Sequence, residues 1–335
     1  MSRFIIEDPT FIDLVGDNPK LIEVSGGHNF TEAPSYVSTG DTGYWFFGDV
    51  NEDVLFYIPW RGLEKVCYST YCVGSQKSNQ MPPIIGIGPK SFGKTKVYLQ
   101  PAGGVNGSVF NDSGKLLLAE PRTRSVVKIN GKTTKVLTKK YHDTLLNGPN
   151  DIITYNNKIY FTDNIYAKYR WGNKNYLPSA VYRYHKGQTR LVVGDRCQPN
   201  GLAFSPDGTK FYVSDSAAKG LNTWYPYLPH AVYRYDTSQD LPWSGKLFAN
   251  IDVGIPDGLK VDIQGNIWVA CGDGIQVFNS KGHRLGRILT PQSAANLVFG
   301  GDNRDVILIT ATSTVWAVKV FTQGAVPNKT LGFEI

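Results

Sequence analysis

PNGLAFSPDGTKFYVSD, residues 199–215, decides how this chain is read. A polar residue beside Pro and Gly opens a short apolar run. Asp207-Gly208 then breaks it, and Lys210 to Asp215 forms a second apolar run ending in an acid. Asp-Gly between alternating apolar runs predicts a hairpin with a type I′ turn, which needs positive φ at both central residues. The unit recurs. Its openings are Glu32-Ala33-Pro34, Asn106-Gly107, Pro149-Asn150-Asp151, Pro199-Asn200-Gly201, Pro256-Asp257-Gly258 and Asn296-Leu297, spaced by 74, 44, 50, 57 and 39 residues. Second strands are expected at Tyr44 to Asp49, Leu116 to Glu120, Ile159 to Asp163, Ile267 to Cys271 and Val306 to Thr310. Further strands come after them, as at Ser125 to Ile129 and Gly274 to Phe278. Six units of four strands in 335 residues match the period of radial β arrays. The expected fold is all-β: a six-bladed β-propeller with a central metal-binding tunnel, forming one domain over 1–335, with 1–25 closing or covering the last blade. Helical periodicity is nowhere sustained, which excludes TIM-barrel and Rossmann folds.

Radial closure brings equivalent openings to one axis, so Glu32, Asn150, Asn200 and Asp257 are expected to face one another. Two carboxylates and two amide carbonyls suit a hard cation such as calcium. Clustered His or Cys, which zinc or copper would favour, is absent. An ion there would polarise a carbonyl or phosphoryl oxygen, and Asp257 is the expected general base or nucleophile. Against this stands the frequency of Asn and Asp beside Pro or Gly in ordinary turns; four in corresponding places weigh against it. An internal copy, Leu177 to Tyr184 and Leu228 to Tyr235, succeeds two aromatic loops. One holds Tyr166, Tyr169, Trp171 and Tyr176; the other holds Trp224, Tyr225 and Tyr227. The meander puts both loops on the rim of the first-strand openings, with Tyr166, Trp171 and Trp224 as candidate substrate contacts. Packing between blades is the competing role for each.

Hydrophobic residues make 41% and charged residues 19%, as in a well-buried soluble protein. The net charge of +7 comes from scattered residues without a basic run, so nucleic-acid partners are not expected. No stretch approaches the roughly 20 apolar residues of a membrane span. The acids Glu7 and Asp8 interrupt any secretory apolar core, so a cytoplasmic protein is expected. Cys67, Cys72, Cys197 and Cys271 show no zinc or Cys-x-x-Cys spacing; a local Cys67–Cys72 bridge stays open. Residues 88–95, GPKSFGKT, satisfy the P-loop expression. The next residues read as a strand ended by Pro101 instead of the helix a P-loop needs, so nucleotide binding is rejected. The stretch 64–96 reads as an insertion on the rim.

The strings FTEAPSYV, NGPNDIITYNNKIYFTD, PNGLAFSPDGTKFYVSDS, PDGLKVDIQGNIWVACGDGIQVF and NLVFGGDNRDVILITA resemble the gluconolactonase / senescence marker protein (regucalcin) family. The resemblance covers roughly residues 28 to 320. It implies a six-bladed propeller with a divalent ion low in the tunnel, usually Ca2+, with Mg2+, Mn2+ and Zn2+ as alternatives. It places the metal Glu on Glu32, the metal Asn on Asn150 and Asn200, and the metal Asp, also the general base, on Asp257. Asn106 and Asn296 occupy the remaining openings as substrate or water contacts. Two departures stand out: Glu-Ala-Pro where Glu-Gly-Pro is usual, and Ala-Glu120-Pro-Arg122 where many members carry Glu-His. Arg122 and His28 are further candidate substrate contacts. The expected activity is calcium-dependent opening of a lactone or related ester, on a small molecule, by a monomer or weak homo-oligomer. The alternatives are a propeller enzyme of secondary metabolism acting on another ester or non-hydrolytically, and a non-catalytic calcium-binding scaffold.

Overall fold

The computed structural model describes residues 3–40, 42–61, 63, 67, 95–131, 133–174, 176–217 and 230–325. Six antiparallel sheets carry the fold. The first is β3 (Thr31–Ser38), β4 (Gly43–Asp49), β5 (Val54–Pro59) and β6 (Lys96–Leu99). The second is β7 (Gly107–Phe110), β8 (Leu116–Glu120), β9 (Ser125–Asn130) and β10 (Thr133–Thr138). A two-stranded ribbon, β11 (Lys140–Tyr141) with β12 (Thr144–Leu145), leads to the third: β13 (Pro149–Tyr155), β14 (Lys158–Asp163), β15 (Ala180–His185) and β16 (Gln188–Val193). The fourth is β17 (Pro199–Phe204), β18 (Lys210–Asp215), β19 (Ala231–Asp236) and β20 (Gly245–Asn250). The fifth is β21 (Leu259–Val261), β22 (Ile267–Cys271), β23 (Gly274–Phe278) and β24 (Arg284–Leu289). The last holds β25 (Asn296–Gly300), β26 (Val306–Ala311) and β27 (Thr314–Lys319). Each first strand touches the first strand of the next sheet, and β25 touches β3. The ring is closed, and the six openings surround its axis.

Segments from the start of the chain complete the last two blades. β2 (Leu21–Gly26) pairs with β27 as the outer strand of the sixth, and β1 (Phe4–Ile6) adds a fifth strand to the fifth blade beside β24. Between them α1 (Thr10–Val15) buries Phe11, Leu14 and Val15 against Trp268, Ile275 and Ile288.

Alternation along the strands explains the packing, because residues two apart share a face and each blade is buried on both. Among the described residues six apolar clusters result, one between each pair of adjacent blades. Val37, Phe46 and Leu55 of the first blade, for example, meet Leu116, Leu118 and Val127 of the second. Trp45 and Phe47 turn the other way, toward Leu308 and Ala317 of the sixth.

Two expectations need correction. The loop at Asp207-Gly208 is not a type I′ turn. Gly208 alone has positive φ, at 71°, and its N–H donates to the Ser205 carbonyl oxygen at 2.9 Å. Pro206 fixes a negative φ and keeps the turn right-handed up to the glycine. Type I′ geometry occurs instead at Asn156-Asn157, with φ of 49° and 58°, between the paired residues Tyr155 and Lys158. The aromatic stretch after β14 is also not all loop: Tyr166–Trp171 is a helix, α2. Cys72, Trp224, Tyr225, Tyr227 and most of the run at 88–95 lie outside the described residues.

Candidate metal centre and active site

Local backbone irregularity singles out three openings. Across β3 and β4 the register passes from Glu32–Gly48 to Ser35–Phe46. Across β13 and β14 it passes from Pro149–Asp163 to Ile152–Phe161, and across β17 and β18 from Pro199–Asp215 to Leu202–Val213. Each first strand thus carries one extra residue, a β-bulge, beside Glu32, Asn150 or Asn200. Bulges re-aim side chains and favour active sites. The openings at Asn106 and Asn296 keep regular register.

The bulges free backbone N–H groups, and each finds a partner, as buried amides must. Asp151 N–H donates to Thr162 Oγ1 at 3.0 Å, and Gly201 N–H to Ser214 Oγ at 2.7 Å. In the first blade Ala33 N–H donates to Glu32 Oε2 at 3.0 Å. Ala33 there adopts a φ of 55°, a left-handed conformation costing an L-residue about 1–2 kcal/mol. That is the position where glycine is usual in the resemblance.

Glycines 107, 201 and 258 let the inner strands approach one another. None has positive φ, so turn geometry is not their purpose. A Cβ at Gly107 would stand 2.5 Å from the Asn150 carbonyl oxygen. One at Gly201 would strike the Asp257 carbonyl oxygen, and one at Gly258 the Asn296 side chain. The Asn-Gly and Asp-Gly pairs therefore belong to tight packing at the axis.

Glu32, Asn150 and Asn200 are buried, while Asp257 is half-buried. The Glu32 carboxyl is pushed well up in pKa by burial, then by the charges of Asp257 and Asp151. Burial and the Asp151 charge likewise raise Asp257, against a hydrogen bond from Asn200 and the charge of Arg170. Asn200 Nδ2 also donates to Ser216 Oγ at 3.2 Å. Asn150 Oδ1 is buried without a hydrogen-bond partner among the described residues, a costly arrangement unless something electropositive sits there. Among the described residues no three His, Cys, Asp or Glu side chains group to hold a metal. The amide oxygens of Asn150 and Asn200 are thus needed to complete a site. Two facing carboxylates and an orphaned amide oxygen fit a hard divalent cation.

Beneath them lies a third carboxylate, which the pattern of openings does not single out. Asp151 is buried, its carboxyl raised by burial, and its Oδ2 stands 3.9 Å from Lys260 Nζ. Lys260 Nζ also donates to the Leu259 carbonyl oxygen at 3.0 Å and approaches Asn296 Oδ1 at 3.5 Å. Asn296 Oδ1 also accepts the Leu297 N–H at 2.9 Å, and its side chain acts to lower the pKa of both Glu32 and Asp151. It therefore lies close to both carboxylates. The available signal was a lysine between Leu259 and Val261 on an inner strand.

On the rim, α2 presents Tyr166 and Arg170, four residues apart and so on one face. Tyr166 Oη is buried without a partner among the described residues; burial and the Asp257 charge push its pKa up. The Arg170 guanidinium lies 4.7 Å from the Phe30 ring and 5.8 Å from that of Trp171. Desolvation lowers its pKa, while Glu32, Asp49 and Asp257 act to raise it. Trp171 packs over Gly104 beside the Arg122 side chain. Arg122 pairs with Asp53 at 2.8 Å. Asn106 is buried, and its N–H donates to the Ala119 carbonyl oxygen at 3.1 Å. His28 turns elsewhere: Nε2 lies 2.7 Å from Ser25 Oγ and the ring packs on Phe47 and Phe56. Its described contacts touch none of the four central residues. Trp224 lies outside the described residues.

Residues 31–313 match the family described as SMP-30/Gluconolactonase/LRE-like region. The chain is 32% identical over 238 residues to a gluconolactonase of Zymomonas mobilis, covering 66% of this chain and 64% of that protein. Against the lactonohydrolase OryL of Aspergillus oryzae it is 29% identical over 246 residues, covering 67% and 54%. The matched stretch thus spans less than two thirds of these relatives. Among solved structures, a gluconolactonase from Xanthomonas campestris superposes with a TM-score of 0.76 at 22% identity, covering 96% of this chain and 95% of that one. Regucalcin from Agrobacterium tumefaciens, described as a calcium-binding protein, gives 0.64 at 16% identity, covering 95% and 98%.

Proposed function

Because the chain belongs to the SMP-30/gluconolactonase/LRE-like family, we propose that it is a metal-dependent lactone hydrolase. Glu32, Asn150, Asn200 and Asp257 would hold the ion, with calcium favoured by the all-oxygen donor set. The carrying observation is Asn150 Oδ1, buried without a partner among the described residues, together with Glu32 and Asp257, two carboxylates raised by burial and by neighbouring negative charge. When bound, such an ion supplies Lewis acidity toward a carbonyl oxygen.

The rest of the chemistry belongs to the chain. Asp257, half-buried and restrained by Asn200, takes a proton from the water that adds to the lactone carbonyl carbon. It returns that proton to the ring oxygen as the C–O bond breaks, leaving a hydroxy acid. Lactone and water balance the product without a further reactant. Lys260, 3.9 Å from Asp151, offsets that carboxylate's charge so that it repels Asp257 less. Tyr166, on α2 at the rim, lies beside Asn200 and Ser216.

The test is a lactone panel assayed with calcium, after chelation and after calcium is restored. Asp257→Asn is expected to lose about 10³-fold or more in kcat, within the range of general-base catalysis, with an unchanged circular dichroism spectrum. Undiminished turnover in that variant, or in chelated protein, sinks the reading. A chain that binds calcium but turns over no lactone or ester would point to the scaffold alternative.

A further inference from the structure

The rim around α2 is basic, and its cations differ in what they hold. Arg122 pairs with Asp53 at 2.8 Å. Arg124 donates to the carbonyl oxygens of Leu146, Asn147 and Lys174 at 2.7, 3.0 and 2.7 Å. Both serve the structure. Arg170 has neither a hydrogen bond nor an ion pair among the described residues. Aromatic faces seat it instead, with Phe30 at 4.7 Å and Trp171 at 5.8 Å. Stacking fixes the plane of a guanidinium while leaving its N–H edges unengaged. Phe30 immediately precedes β3, the strand that carries Glu32, so the seat adjoins a central carboxylate. The Phe30 contact sets Arg170 close to the opening of β3, and the charges of Glu32, Asp49 and Asp257 act on it.

An unused planar fork held near a reacting centre needs oxygen acceptors from a ligand. Its geometry matches carboxylate and phosphate groups. Helix α2 adds Lys168 in its last turn and has no acid in its first, so the helix itself contributes only positive charge toward an anion. A divalent ion held by Glu32 and Asp257 would take up the negative charge that those side chains otherwise offer the guanidinium.

We propose that Arg170 is a specificity-determining residue at the tunnel mouth, and that the preferred substrates are lactones carrying an anionic group, carboxylate or phosphate, away from the ring carbonyl. This rests on the lactonase reading above, and the two fail differently.

The probes are neutral D-glucono-1,5-lactone, its 6-phosphate, and D-glucaro-1,4-lactone with its free carboxylate. Wild-type protein with calcium is expected to favour at least one anionic probe by about tenfold or more in kcat/KM, and rising salt should shrink the preference. The two anionic arms distinguish phosphate from carboxylate. Arg170→Ala should collapse the ratio toward unity, chiefly through KM, and Arg170→Lys should retain part of it. Equal kcat/KM for all probes in wild type, or an equal fall for all in Arg170→Ala, overturns the proposal. Should no lactone be turned over, the lactonase reading fails by itself. Calorimetry with 6-phosphogluconate and glucarate against gluconate then decides the anion site. Arg170-dependent tighter binding of 6-phosphogluconate or glucarate than of gluconate supports it, and indifference to Arg170 refutes it. Calcium binding and melting temperature of both variants check that the centre and fold persist; should Arg170→Ala fold poorly, Arg170→Lys carries the comparison.

Discussion

Lys260 shows how one side chain can decide whether a buried cluster is tolerable. Its neighbours Leu259 and Val261 enter the apolar contact between the fourth and fifth blades, and strand alternation sends the lysine to the other face, toward Asp151. Without that ammonium, Asp151, Glu32 and Asp257 would be three carboxylates sharing a poorly solvated space. Lys260→Met is expected to cost about 2 kcal/mol in chelated protein, below the full penalty for breaking a buried pair because the lysine keeps some solvent. Adding Asp151→Asn should recover much of that loss. Urea unfolding of the two single variants and the double variant measures the coupling, and strict additivity would mean the pair does not interact. Position 33 carries a related tension, since an alanine holds a left-handed backbone beside Glu32. The sequence could show that a glycine was missing there, but not that the position needs positive φ. That requirement comes from the bulge, and pairing is a property of two strands.

Among elements, the acid ending a second strand has a role that the repeat displayed without explaining. Asp163, last in β14, accepts the N–H groups of Asn147 and Gly148 at 2.8 and 2.7 Å. Asp215, last in β18, does the same for Cys197 and Gln198 at 3.1 and 2.9 Å. Asp49 serves Asn29 and Phe30 at 2.7 and 3.2 Å. In each case the acid pins the segment leading into a bulged first strand, and so the side chain presented to the axis. Asp163→Ala leaves two buried donors unpaired, a loss of about 2 kcal/mol or more, and should weaken calcium binding through Asn150. A pH signature accompanies it. Burial raises the Asp163 carboxyl to about 7, whereas in an unfolded chain it titrates near about 3.9. Between those values the folded chain keeps a proton that the unfolded chain has lost. This residue's contribution therefore falls as pH rises through the window. His28 acts oppositely below about 6.5, because desolvation lowers its pKa. It is common to both proteins, so melting curves from pH 4 to 8 should show a flatter decline in Asp163→Ala. An identical slope would remove Asp163 from the account. First and second strands were legible because Pro, Asn, Gly and Asp punctuate them. Helix α2 was not, since YAKYRW is too short to show a helical period and its aromatics suit strands equally well.

At the scale of the whole molecule, the apolar contacts form a ring of interfaces with no single centre, and the ring is only as strong as its seam. Strand β2 supplies the outer edge of the sixth blade, and Glu7 binds both Arg284 and Arg287 at 2.7 Å. Removing residues 1–26 would strip β1, α1 and β2, bare the edge of β27 and uncover Trp268 and Ile288. Exposed edges of that kind invite association. The shortened chain is expected to aggregate, or to melt without a cooperative transition, in light scattering and calorimetry. Chelation should lower the melting temperature of the full chain without abolishing its cooperativity. Six-fold repetition was readable because every blade repeats one solution. The seam was less so, since β1 and β2 pair with strands more than 250 residues away, and such partnerships leave no local pattern.

That seam also sets an order of events during synthesis. Leu21 meets Val318 in the finished sheet, so the ribosome must deliver all the intervening strands before the early one has anywhere to dock. Until then the first blades stand as an open arc with a sticky flank at each end, and a nascent chain of this kind would gain from chaperone cover until the sixth blade has emerged.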